Sequence, residues 1–240
     1  MKKLIAIMAA IAVMASFGAC GESNNSSETQ TENGSVNVTE DNDAGEGAQE
    51  ADDENEPAAD NSPITEDDVR NHAETPAEDF EYVGGGYVNI TGYKGSDPIV
   101  VIPEEINGEP VQVISGGFSN DSIVKGVKLP SGVKELDYTF CNNASLQVVL
   151  SDSIETVKKG TFNSNTNLKV VDLGNNVISF DVSNYFSTAL ERIHLPAGVS
   201  GLDKYVFESY GDNKDLTIIG EAGSYAETFA NENGFNFEVG

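Results

Sequence analysis

Between residues 118 and 207 the apolar positions recur with a spacing that no single helix or strand produces. Phe stands at Phe118, Phe140, Phe162, Phe186 and Phe207, in steps of 22, 22, 24 and 21. A second column runs through Leu129, Leu150, Leu173 and Leu195, and three of its members precede Pro or Gly. A third follows seven residues later at Leu136, Val157, Phe180 and Leu202, and a fourth precedes it at Ile123, Leu146, Leu168 and Leu190. Four columns in phase at about 22 residues predict a repeat solenoid, because one such turn cannot bury its apolar side alone and must stack on its neighbours. The fold class expected is a strand-rich repeat solenoid of about five coils, with little helix.

The local pattern gives each coil its parts. Leu168 to Leu173 and Leu190 to Leu195 place apolar residues at the first, fourth and sixth positions, with the residues between expected to face solvent, as in a strand with one buried face. Pro or Gly after the sixth position ends the strand. At the N-terminal end, Phe80–Tyr82 and Tyr87–Tyr93 flank Gly84-Gly85-Gly86, which predicts a β-hairpin cap. At the C-terminal end, Ser224 and Glu227 form a capping-box pattern and Gly234 follows, which predicts a short helix cap over Ser224–Asn233. The domain therefore divides into a cap and first coil (80–121), repeats (122–215) and a C-terminal cap (216–240). The coil from Phe162 to Phe186 is longer than its neighbours and is expected to bulge near Phe180.

The first 79 residues carry no such pattern. Met1-Lys2-Lys3 followed by an apolar run from Leu4 to Phe17 is a secretory signal peptide, too short for a comfortable membrane span. It closes on Phe17-Gly18-Ala19-Cys20, which resembles the bacterial lipobox with Phe17 in place of the usual Leu. That resemblance implies lipidation of Cys20 and an exported protein held at the outer face of the cell membrane. Residues 21–79 are almost devoid of large apolar side chains and are expected to form a disordered acidic tether, spanning roughly 40–45 Å before charge repulsion extends it. Within it, Thr65 can cap one or two helical turns over Ile64–His72, marginal in isolation. Asp41–Gly47 looks like a calcium loop, but Gly45 and Glu46 stand where a ligand and a Gly are needed.

Charge sharpens the partition. Of a net −27, residues 21–80 contribute nineteen Asp and Glu against one Arg. So acidic a chain lacks the basic footprint of a nucleic-acid binder. Two Cys, Cys20 and Cys141, build neither a disulfide framework nor a four-Cys metal site. Cys141 is expected as a small buried hydrophobe, the alternative being a disulfide to another chain.

Candidate chemistry is sparse. The two His are His72 and His194. In stacked coils, strands about 4.8 Å apart bring Asp172 beside His194, in a row expected to read Lys128, Val149, Asp172, His194, Thr217. An Asp–His–Thr line without a pocket or oxyanion donors falls short of a hydrolase, and a cross-strand ion pair is expected. No catalytic residues, metal set or cofactor are expected. The strand face instead carries Lys125, Lys128, Gln147, Lys169, Val170, Asp172, Glu191, Arg192 and His194, mixed in sign within an acidic chain. Lys128, Lys169, Asp172, Glu191, Arg192 and His194 are the candidate ligand-binding residues.

On these columns, and on Ile102-Pro103, Ile106-Asn107-Gly108, Pro110-Val111, Ile114 and Phe118, the chain over about residues 80–240 resembles the BspA-like bacterial leucine-rich repeats. The resemblance implies cell-surface adhesion or host-protein contact; the mixed-sign face suits a protein or glycan partner, and the chain is expected to be a monomer tied to the membrane through Cys20. A spacer lipoprotein without a dedicated ligand is the alternative. Two features depart from the family pattern: Cys141 directly follows Phe140, and Phe180 stands where Ile or Leu is usual.

Overall fold

A computed structural model describes residues 62–121, 123–181, 184–187, 189–208 and 211–240. The signal peptide, Cys20, the calcium-like loop and the tether as far as residue 61 lie outside the described residues.

The expected solenoid is present, with more turns than the columns suggested. Seven parallel strands form one sheet: β3 (Ile99–Val101), β6 (Gly126–Lys128), β8 (Val148–Leu150), β10 (Val170–Asp172), β12 (Arg192–His194), β13 (Thr217–Gly220) and β14 (Asn236–Val239). Their order along the sheet is their order along the chain, as successive turns of one coil require. A second parallel sheet, β7 (Glu135–Leu136), β9 (Thr156–Val157) and β11 (Ser179–Phe180), forms another side. The Leu136, Val157 and Phe180 column pairs in register there, so the coil near Phe180 keeps its strand.

Between the sheets the Phe column stacks as a ladder. Phe118, Phe140, Phe162, Phe186 and Phe207 are fully buried, with successive ring centroids 5.8, 5.9, 5.3 and 5.5 Å apart. The repeat thus sets each ring at the strand-stacking distance from the next, where offset stacking adds to area burial. Polar groups inside the coils are matched. Buried Asn143 donates to Phe118 O at 3.3 Å, Asn165 to Phe162 O at 2.8 Å and Asn213 to Leu190 O at 3.0 Å, satisfying turn carbonyls that no ladder serves. Cys141 is buried, as expected of a small hydrophobe, its Sγ 3.7 Å from Ser119 Oγ.

Several expectations need correction. The inner row of the large sheet is Val100, Val127, Val149, Val171, Ile193, Ile218 and Phe237. Val149 therefore points inward, and its neighbour Leu150 pairs with Lys128 and Asp172 on the outer face. Ser151, not Leu150, takes the buried position matching Leu129 and Leu173, and its hydroxyl meets Ser153 Oγ at 3.2 Å. Likewise buried Val124, not half-exposed Ile123, begins its strand.

The ends also differ. β1 (Phe80–Val83) and β2 (Val88–Tyr93) form the expected antiparallel hairpin, but β2 also pairs in parallel with β5 (Glu109–Ile114), and β5 with β4 (Glu105–Ile106). The hairpin is thus woven into a four-stranded sheet whose Phe80 and Tyr93 extend the ring ladder to Phe118. At the other end α2 (Tyr205–Glu208) precedes β13, and α3 (Tyr225–Asn233) starts at Ser224 and stops at Gly234 in the left-handed region. The Glu227 carboxylate takes the Gly223 N–H rather than that of Ser224, so the capping box is displaced by one residue. Nor is α3 the last element of the coil: β14 follows it as the outermost strand of the sheet.

The largest difference is at the start. Residues 62–79, expected to belong to the tether, are ordered against the solenoid. Thr65 caps α1 (Glu66–Arg70) in a reciprocal capping box with Asp68, and a single 3₁₀ turn (Ala77–Asp79) leads into β1. The Thr75 N–H donates to the Val101 carbonyl at 2.9 Å, and the Val101 N–H donates to Thr75 Oγ1 at 3.0 Å. Composition marked this segment as unable to fold by itself, which is sound for the segment alone. Its two apolar side chains instead find a surface 30 to 100 residues away in the chain.

Candidate functional site

That surface is the outer face of the large sheet. Two outward rows cross it. One reads Ile99, Gly126, Val148, Val170, Arg192, Thr217 and Asn236. The other reads Val101, Lys128, Leu150, Asp172, His194, Ile219 and Glu238. Half of it is thus apolar where a solvated face would be polar. The strap formed by residues 62–72 lies on that half.

Val69 is fully buried in a cluster of its own with Ile99, Val148 and Leu150, joined by Ile64 and Val170. Full burial of a Val contributes roughly 1.5–3 kcal/mol. Gly126 forms the floor. A Cβ there would lie 2.5 Å from Val69 Cγ2 and 2.6 Å from Ile64 Cδ1, so any side chain at this position would force Val69 or Ile64 to shift. Polar contacts frame the apolar strip. The Ile64 N–H donates to Gln147 Oε1 at 3.0 Å, and Lys125 Nζ reaches Ser62 O at 3.4 Å. Arg70 bonds Asp172 at 2.8 Å, and Glu66 lies 3.6 Å from Arg192.

Of the six residues singled out from the sequence, Lys128, Asp172, Arg192 and His194 stand in these rows, and Lys169 and Glu191 lie just before β10 and β12. Lys169 and Glu191 pair at 2.7 Å. Arg192 lies between Glu66 of the strap and Glu238 of β14, the latter at 3.0 Å. Lys128 is half-buried beside Leu150. Asp172 and His194 meet as expected, Nδ1 to Oδ1 at 3.1 Å. A carboxylate only accepts, so Nδ1 carries the proton. His194 is far from solvent-facing, however: its side chain is 10% exposed, and its Nε2 is buried without a hydrogen-bond partner. The third residue of the supposed Asp–His–Thr line is Ile219, because Thr217 pairs with Arg192 one row away. Ile219 stands opposite His194, and Arg70, Asp172 and His194 form a chain of contacts that holds the strap to the sheet. Among the described residues no group of three or more His, Cys, Asp or Glu could hold a metal.

Asp172 is where the strap and the sheet are latched. Burial pushes its carboxyl up, but the hydrogen bonds from His194 and the Gly174 N–H, the charge of His194 and the bond from Arg70 together hold it below the ordinary carboxylate value. A carboxyl depressed in the folded state adds stability above its unfolded pKa, about 3.9, and that stability is lost as pH falls through the folded pKa. Acidification below about pH 4 is therefore expected to loosen α1 from β10. The protection factors of the amides over residues 66–70 should fall there, and an Asp172→Asn chain should show low protection already at neutral pH.

Sequence reasoning missed the strap, Gly126 and the apolar outer row. One signal was present: Val148-Val149-Leu150 is an unbroken apolar run in a strand whose neighbours alternate, which implies cover on both faces.

Comparison with known proteins agrees with this architecture. Residues 103–213 match the model of the BspA type leucine rich repeat region in six copies. The crystal structure of a leucine-rich repeat protein from T. pallidum is similar in fold, with a TM-score of 0.52 at 23% identity over 61% of this chain and 71% of that chain. No curated protein matches the chain.

Proposed function

Residues 103–213 belong to the BspA-type leucine-rich repeats, and from that premise we propose that the chain is a protein-binding repeat module displayed outside the cell on a lipid anchor at Cys20. The observation that carries the binding reading is the strand face. A ladder of buried rings holds its shape, so the outward residues are free to specialise without disturbing the core. They set Lys125, Lys128, Lys169 and Arg192 beside Asp172, Glu191 and Glu238 in a chain with a net charge of −27, a mixed face that suits a protein partner presenting groups of both signs. The anchor rests on the small residues before Cys20 at the end of an apolar run. Two or more acyl chains hold a protein stably where one does not.

The anchor and the binding are tested separately. The wild-type chain is expected in the membrane fraction and a Cys20→Ser chain in the medium or periplasm; equal membrane retention of the two would overturn the anchor. For binding, the full chain is passed over immobilised extracellular-matrix proteins and cell-wall glycans. Saturable binding to a protein is expected. Saturation on glycans alone would replace the partner class, and none on either would overturn the binding reading.

A further inference from the structure

We propose that the outer sheet face beneath the strap is a docking groove for short acidic amphipathic helical segments of other proteins, and that the strap is its resident, displaceable occupant. The proposal deepens the binding-module reading by naming the surface and the partner's chemistry, and it rests on that reading.

Three observations carry it. The first is that the groove is built to receive side chains from outside the solenoid. Gly126 sits mid-strand, and it faces two apolar side chains at a distance no Cβ tolerates. A strand in a repeat protein has no reason of its own for such a residue, since Gly weakens a strand. Ile99, Val148 and Leu150 beside it are buried by Val69 rather than by the main core.

The second is charge. The strap brings Glu66, Asp67 and Asp68 in the first turn of α1, and the face offers Arg192 to Glu66 and Lys125 to the Ser62 carbonyl. Acidic residues at the start of a helix also favour the helix itself. The groove thus recognises a definable pattern: an apolar residue, a capping Thr, an acidic first turn, then a second apolar residue and a base, as in Ile64-Thr65-Glu66-Asp67-Asp68-Val69-Arg70.

The third is that the occupant is held lightly. α1 has five residues, too few to persist without its groove. Its ion pair to Arg192 is between partly exposed groups and adds little, which leaves Asp172 as its one charged latch. A tethered weak occupant lowers the apparent affinity for a competitor by the fraction of time the groove is filled, without abolishing it. A partner segment with the same pattern on a longer, better formed helix would displace it.

The test uses the full chain and a fluorescent 14-residue peptide copying residues 61–74. A strap-opened chain, Ile64→Ser with Val69→Ser, should bind the peptide at least tenfold tighter than wild type. Protection of the Val149 and Val171 amides from exchange would show that the opened solenoid is still folded. Adding Gly126→Val to the opened chain should abolish binding, and a peptide carrying Glu66→Lys, Asp67→Lys and Asp68→Lys should bind at least tenfold more weakly. A peptide keeping only the seven-residue pattern, with Ala elsewhere, should bind as the copy does. Equal binding to opened and wild-type chains, or binding that survives Gly126→Val, would overturn the proposal. So would concentration-dependent dimers of the wild type that are lost on opening the strap, since a second copy would then be the occupant. None of these outcomes bears on saturable binding to matrix proteins through another surface, so the two readings fail separately.

Discussion

Replacing Phe162 with Ala is expected to cost the domain about 3–5 kcal/mol, the range for emptying a buried aromatic site. Phe162 is fully buried at the middle of the ring ladder, 5.9 Å from Phe140 and 5.3 Å from Phe186, with interplanar angles of 10° and 27°. In a stacked repeat, stability is a sum of turn and neighbour contributions, so a central ring supports two interfaces at once. Its loss opens a cavity that neither neighbouring coil can fill, because both are held in register by the sheets on either side. Urea denaturation should show a lower midpoint with little change in slope if unfolding stays cooperative. Phe180→Ala provides the contrast. That ring is half-buried and stacks only on Phe186, at 6.3 Å. A smaller cost is expected there. Equal losses at the two positions would mean that the ladder is not what holds the coils together.

The ladder was legible in the sequence because its spacing and its chemistry agree. Phe is large and apolar, so no neighbour competes for the position. Where the two criteria disagreed, spacing was the better guide. Leu129, Ser151, Leu173 and Leu195 are separated by 22 residues each, whereas choosing Leu150 for its hydrophobicity gives uneven steps. The same holds for Val124, Leu146, Leu168 and Leu190, which the more apolar Ile123 displaced in the reading. A repeat can place Ser in its core, because Ser153 donates to Pro130 O and Val133 O nearby and Ser151 joins it. It can place Leu outside when something covers it.

The end turns were hidden for a different reason. Inner residues step by 22 from Val127 to Ile193, but by 27 from Val100 to Val127, 25 from Ile193 to Ile218 and 19 from Ile218 to Phe237. A fixed period loses such turns, while parallel pairing keeps them. The strap was less legible still. Its helix and cap could be read locally from Thr65, but its contacts span 83 residues to Gln147 and 102 to Asp172. Nothing in a window of the sequence points there. Of the candidate binding residues, Lys128, Asp172, Arg192 and His194 stand in the outward rows, and half of that face is covered by the chain itself.

Making the repeat more regular should, at one position, damage it. Leu129-Pro130 and Leu195-Pro196 invite Gly174→Pro after Leu173, a change that would ordinarily stabilise a turn by limiting the unfolded chain. Here it is expected to destabilise by about 2–4 kcal/mol. Gly174 has φ +74°, in the left-handed region that the proline ring, fixed near −65°, cannot enter. Its N–H donates to Asp172 Oδ1 at 3.1 Å, a bond to a charged acceptor that Pro removes. A side chain would also meet backbone, since a Cβ on Gly174 would lie 2.9 Å from Asp152 Cα. Asp172 is the residue that holds Arg70, so the damage should travel to the strap. Exchange over residues 66–70 is expected to quicken in Gly174→Pro even where the solenoid remains folded, while Gly174→Ala, which keeps the N–H, should lose stability with less loosening of α1. Identical strap exchange in the two variants would show that Asp172 keeps its orientation without the Gly174 amide, and that the latch depends on His194 and Arg70 alone.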